Sequence, residues 1–112
     1  MSSNVRYTYH RKRTAQRKRL RSIYTRCPKC GVLLDWDHPY LPNSAEVDEI
    51  YPISKLPREF RAKAAIDPHN LQALCRKCNK EKSNKTPKEL AAISAAMAAK
   101  DMSQNIETST EY

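Results

Sequence analysis

The run Asn70-Leu71-Gln72-Ala73-Leu74-Cys75-Arg76-Lys77-Cys78-Asn79-Lys80-Glu81-Lys82 decides how this chain is read. Leu71 to Leu74 is a short apolar segment that reads as a strand, and Arg76 to Lys82 reads as a helix carrying Cys78 and Asn79. The pair Cys75-x-x-Cys78 then sits where strand gives way to helix, at a spacing suited to holding a metal ion.

A matching pair, Cys27-x-x-Cys30, lies upstream and is followed by Gly31, a residue able to take a positive φ. The two pairs account for all four cysteines of the chain. A disulfide framework or redox use is one reading. It wants a secretory leader, and the basic N-terminus has no apolar run behind it. The other reading is a tetrahedral zinc site formed by Cys27, Cys30, Cys75 and Cys78, with soft thiolates around an ion that has no redox chemistry. Zinc is the expectation. A chain of 112 residues with one Phe, one Trp and one Gly buries only a thin core and gains most from such a staple.

Working outward, Val32-Leu33-Leu34 is a short extended run and Asp37-His38-Pro39 through Pro42-Asn43-Ser44 is turn-like. Ala45 to Tyr51 reads as a strand ended by Pro52. Arg58 to Ile66 reads as a short helix opened by Pro57 and stopped at Asp67-Pro68. Arg11 to Tyr24 reads as a basic helix with a short apolar stripe of Leu20, Ile23 and Tyr24; residues 1–8 look irregular. Thr86-Pro87-Lys88-Glu89 is a helix start, with Thr as cap, Pro in the first turn and Glu closing a capping box. The Ala-rich helix that follows is expected to reach about Met102, and residues 103–112 to be disordered.

The net charge of +9 is unevenly distributed. Residues 1–26 hold nine Lys or Arg and no acid, residues 27–85 hold ten basic and eight acidic residues, and residues 86–112 hold two and four. An excess concentrated in one arm suggests a polyanionic partner. Arg11, Lys12, Arg13, Arg17, Lys18, Arg19 and Arg21 could lie along a phosphate backbone; the bland alternative is a solubilising tail. No stretch approaches the roughly 20 apolar residues of a membrane span.

The segments Val47-Asp48-Glu49-Ile50-Tyr51-Pro52 and Asn70 to Lys82, taken with both cysteine pairs, resemble the HNH (His-Asn-His, ββα-metal) endonuclease family, over about residues 27–85. The resemblance implies a small α+β fold, a zinc-stapled ββα-metal core flanked by the basic N-terminal helix and the Ala-rich C-terminal one. It implies three parts: a basic arm 1–26, a nuclease domain 27–85, and a helix and tail 86–112. It also implies roles. Asp48 and Asn79 would hold a catalytic Mg²⁺ or Mn²⁺, Asn70 would position the base or its loop, and Lys82 would contact phosphate.

The departure is Glu49, where the family usually has His as general base. Glu is the weaker base, with a reference pKa of about 4.3 against about 6.5. Glu49 is then a less efficient base, a further metal ligand, or a sign of lost catalysis; the first is preferred. His69 and His38 are alternative bases, both more at home in loops.

Three functions remain open: a metal-dependent DNA endonuclease or nickase, a noncatalytic zinc-stabilised DNA-binding module, and an adaptor among phage packaging proteins. The first is favoured, because an Asp beside a phosphate is repelled unless a cation intervenes. No membrane partner and no small-molecule substrate are expected. The expected setting is the cytoplasm of a bacterial cell, for a chain of bacterial or phage type.

Overall fold

The computed structural model describes the backbone of residues 10–109 and the side chains of residues 10–100. The expectations for residues 1–8 and for the last three residues fall outside that range. The elements run α1 (His10–Ile23), β1 (Ala45–Glu49), α2 (Arg58–Ala64), β2 (Leu71–Cys75), α3 (Arg76–Lys82) and α4 (Pro87–Ser109), with 3₁₀ turns at Ile53–Lys55 and Pro68–Asn70. The fold is α+β, as the sequence implies.

β1 and β2 pair antiparallel, from Ala45 opposite Cys75 to Glu49 opposite Leu71. Cys75 ends β2 and starts α3 without a loop, and its sulfur accepts from the Cys78 N–H at 3.4 Å, capping the helix. The strand–strand–helix unit is therefore continuous through the second cysteine pair. Cys27, Leu34, Ala45, Ala73, Leu74, Cys75 and Cys78 form the core, with Tyr24 and Trp36 against it. Three of those seven residues are cysteines, so much of this core is the knuckle itself. Gly31 adopts the positive φ expected of it, at 82°.

Several boundaries differ from those read in the sequence. Val32 to Leu34 is not a strand; the region makes only isolated bridges, Arg26 with Leu33 and Asp35 with Ser44. β1 stops two residues early because Ile50 and Tyr51 bond to Asn70 rather than along β2. α4 continues past Met102 to Ser109, since Ala, Met, Gln and Glu all favour helix and no Pro or Gly interrupts them. The capping box at its start is present: Thr86 Oγ1 accepts from the Glu89 N–H at 3.2 Å, and Glu89 accepts from the Thr86 N–H at 3.4 Å.

The basic helix α1 is anchored, not splayed. Leu20 is buried and its neighbours Arg13, Gln16, Arg17 and Arg19 donate to backbone carbonyls of other segments. Arg13 reaches Ala65 at 2.6 Å and Gln16 reaches Ile66 at 3.2 Å, just past the end of α2. Carbonyls there lack intrahelical partners and carry the negative end of the helix dipole, so a guanidinium is a fitting donor. Arg17 reaches the Trp36 carbonyl at 3.0 Å and lies 5.1 Å from the Trp36 ring centroid.

Candidate active site and metal centre

The four cysteine sulfurs lie within 4.8 Å of one another, Cys27 and Cys30 from the segment before β1, and Cys75 and Cys78 from the junction of β2 and α3. Cys30 Sγ and Cys75 Sγ are 3.7 Å apart. Four sulfurs at about 2.3 Å from a zinc ion define a tetrahedron with edges of about 3.8 Å, whereas a disulfide needs about 2.05 Å. All four cysteines are free, and the donor set fits a structural zinc. Burial opposes ionisation of Cys27, yet the backbone N–H groups of Cys75, Cys30 and Lys29 outweigh it and bring this thiol down to about 6. Burial pushes Cys75 and Cys78 upward, so without a metal this pair favours the thiol form. The cluster leaves no fourth position open for substrate, which makes its role structural.

A second site lies at the far end of β1. A cavity of about 210 Å³ is lined by Arg13, Asp48, Glu49, Asn79, Lys82 and Asn84, among others. β1 and α3 build it as a ladder. Residues two apart on a strand share a face, so Glu46 and Asp48 both look toward α3. Residues three apart on a helix also share a face, so Asn79 and Lys82 look back. Asn79 Nδ2 donates to Glu46 Oε1 at 2.8 Å, and Lys82 Nζ lies 3.3 Å from Asp48 Oδ1.

Asp48 is 7 % exposed and also accepts from Gln72 Nε2 at 2.9 Å, its cross-strand partner. Lys82 is 4 % exposed, lines the cavity and donates to the Glu49 carbonyl at 2.9 Å, so it is not solvated helix surface. Glu49 is equally buried; its Oε1 accepts from the Ile53 N–H at 3.3 Å, and its Oε2 stands 3.7 Å from Arg13 Nη1. Arg13, read from sequence as part of a phosphate-tracking arm, is thus a wall of this cavity.

Asn70 works on the loop beside Glu49. Its Oδ1 accepts from the Tyr51 N–H at 2.8 Å, and its Nδ2 donates to the Tyr51 carbonyl at 3.1 Å and to Ala64 at 3.3 Å. Its own carbonyl accepts from the Ile50 N–H at 2.8 Å. One residue therefore fixes the two that follow Glu49, Tyr51 by its side chain and Ile50 by its backbone carbonyl. The two histidines read as alternative bases lie elsewhere. His69 is almost wholly exposed beside Asp67, His38 is exposed beside Asp35, and neither lines the cavity.

The sequence model of the HNH endonuclease family matches residues 27–85, more than half of the chain. The chain belongs to the HNH endonuclease family. The paired strands, the helix after them and the four-cysteine cluster agree with a zinc-bound ββα core of that family. No characterised protein and no solved structure matches the chain. Family members are typically phosphodiester hydrolases, so the substrate class is nucleic acid. No helix among the described residues is long and apolar enough to cross a membrane.

Glu46, Gln72 and Asn84 were not singled out in the sequence. Glu46 had a legible signal, since it stands two residues before Asp48 on one strand and must share its face. Gln72 depended on the strand register, and Asn84 on the chain turning back at Ser83, whose φ is 53°.

Proposed function

We propose that this HNH protein is a metal-dependent DNA endonuclease or nickase. The observation that carries the reading is the convergence of Asp48, Glu49 and Asn79 on one small cavity at the end of β1. Asp48 and the Asn79 carbonyl oxygen would hold Mg²⁺ or Mn²⁺, which suit hard oxygen donors. Such an ion, when bound, would supply polarisation of the scissile phosphate and neutralise charge developing on it. Glu49 takes the proton of the attacking water, and Asn70 sets where Glu49 points by fixing Ile50 and Tyr51. Glu46 holds the Asn79 amide by its nitrogen, which turns Asn79 Oδ1 away from Glu46 and leaves it to the cation.

DNA affinity in this reading comes from basic residues outside the cavity. Arg11, Lys12 and Lys18 stand on the exposed side of α1. Arg13, Arg17 and Arg19 contribute their charge while holding the fold, and Arg21 pairs with Asp37 at 3.0 Å.

The experiment is plasmid nicking with Mg²⁺, Mn²⁺ or no added cation, for the parent and Asp48→Ala. Cation-dependent nicking lost in Asp48→Ala supports the proposal; nicking that survives Asp48→Ala sinks the assignment. A second reading has its own observation. Asp48 is already paired with Lys82 and Gln72, which fits a noncatalytic zinc-stabilised DNA-binding module whose ligands have become structural. A parent that binds DNA and nicks under no cation would favour it. The adaptor reading, with phage packaging proteins as partners, rests on α4 alone.

A further inference from the structure

Tyr40 is 78 % exposed, the most exposed large apolar side chain among the described residues. Its φ is 69°, in the left-handed region that a bulky side chain avoids. The fold holds it there from both sides. Pro39 precedes it and Pro42 follows closely, which stiffens the loop. Asp35 Oδ1 accepts from the Asp37 and His38 N–H groups, at 2.9 Å each. Ser44 Oγ donates to the His38 carbonyl and accepts from the Leu41 N–H. The Lys77 N–H bonds to the Pro42 carbonyl at 3.1 Å, tying the loop to α3. Backbone strain is tolerated here to hold a ring in water, so burial of that ring does not repay it.

The ring has a cationic neighbour and an aromatic-lined hollow beside it. The Arg76 guanidinium lies 5.2 Å from its centroid. A cavity of about 490 Å³ runs from Tyr40 to Arg17, Trp36 and Glu46. Its acids are already neutralised: Glu46 pairs with Arg76 at 3.5 Å, and Asp37 with Arg21 at 3.0 Å. With each of these pairs counted once, Arg17 is the charge left over, and it sets the balance toward an anionic ligand. This hollow borders the candidate active site. Val47 lines both cavities, and Glu46 joins Arg76 on one side to Asn79 on the other.

We propose that Tyr40 and this hollow form a stacking subsite for one unpaired nucleobase of the bound DNA strand, next to the nucleotide whose phosphate enters the active site. A planar base has a face that a tyrosine ring can cover whatever its sequence, and Arg17 is the cation left to serve a flanking phosphate. The inference rests on the DNA-binding part of the proposed function but not on cleavage.

The test is fluorescence anisotropy of the full zinc-loaded chain, with a labelled single-stranded oligonucleotide and no Mg²⁺ or Mn²⁺. Tyr40→Ala is expected to weaken binding by about 5- to 150-fold, the range of one base–aromatic stack, and Tyr40→Phe to bind as the parent does. Tyr40→Gly should lose binding as Tyr40→Ala does yet melt higher than Tyr40→Ala, because glycine takes the positive φ without strain. Equal binding by Tyr40→Ala and the parent overturns the subsite, as does a parent that binds no DNA. So does a Tyr40→Gly that melts below Tyr40→Ala, since the loop would then need no relief. Should Tyr40→Ala bind weakly while the parent never nicks plasmid, the cleavage reading falls and the subsite stands.

Discussion

The ammonium of Lys82 sits 3.3 Å from both carboxylate oxygens of Asp48, and each residue is at most 7 % exposed. A divalent cation arriving at Asp48 must share it with this ammonium or displace it. Removing the ammonium leaves a buried carboxylate short of a counter-charge, and breaking such a pair costs about 3–5 kcal/mol. Lys82→Met should therefore melt at a lower temperature than the parent when no divalent cation is present. Mn²⁺ should raise its Tm by more than it raises that of the parent, because the ion then replaces the missing charge. Thermal melts over a Mn²⁺ series check this, and equal shifts in both proteins would show that no cation binds beside Asp48.

The zinc staple is expected to decide whether the fold exists. Cys75→Ser should leave the chain largely unfolded, since zinc contributes on the order of 10 kcal/mol to the folding of small modules. Elemental analysis should find one zinc per chain in the parent. Far-UV circular dichroism should show the variant losing β1, β2 and α3 together. Folded, pure protein without zinc would refute this.

Glu49→Gln should reduce nicking by at least about 10²-fold, the usual contribution of a general base, while DNA binding holds. Glu49→His should keep or raise activity. If Glu49 is instead a cation ligand, excess Mn²⁺ should restore the Gln variant. Full activity of Glu49→Gln without such rescue would remove Glu49 from the chemistry; His69 is exposed and outside the cavity, so it is no ready substitute.

Helix α1 can be divided by function. Leu20→Ala should cost about 2–5 kcal/mol, as buried leucines do, with no selective effect on DNA. Arg11→Glu with Lys18→Glu should leave the Tm unchanged but weaken binding to all sequences and flatten its salt dependence, because phosphate contacts carry no base information. Removing residues 1–20 would merge the two effects, since it takes away Leu20 as well as Arg13 and its hold on Ala65. Unchanged salt dependence in the double charge reversal would locate the DNA elsewhere.

The cysteine cluster, β2 and α3 were legible because ligand spacing and the strand-to-helix switch are local signals. The capping box at Thr86 was legible for the same reason. The cavity residues Asp48, Glu49 and Asn79, and Asn70 on the loop beside them, came from a resemblance, and their meeting depends on the β1–β2 register that no local pattern sets. The arginines of α1 were read as one class of charge. Which of them turn inward follows from where α2 ends, a tertiary fact that leaves no trace in composition. Lys82 was read through the resemblance as a phosphate contact; only the strand lying across from it shows that it is buried.

Cys75 closes the sulfur cluster, ends the sheet opposite Ala45 and caps the helix that carries Asn79 and Lys82. In the proposed nuclease that arrangement would act as an interlock on synthesis. A ribosome-bound or truncated chain ending before Cys75 already contains Asp48 and Glu49, but it lacks half of the clasp and all of α3. If the proposed cleavage holds, a cell making this chain would be spared stray activity from unfinished copies. Zinc starvation would disarm completed ones in the same way.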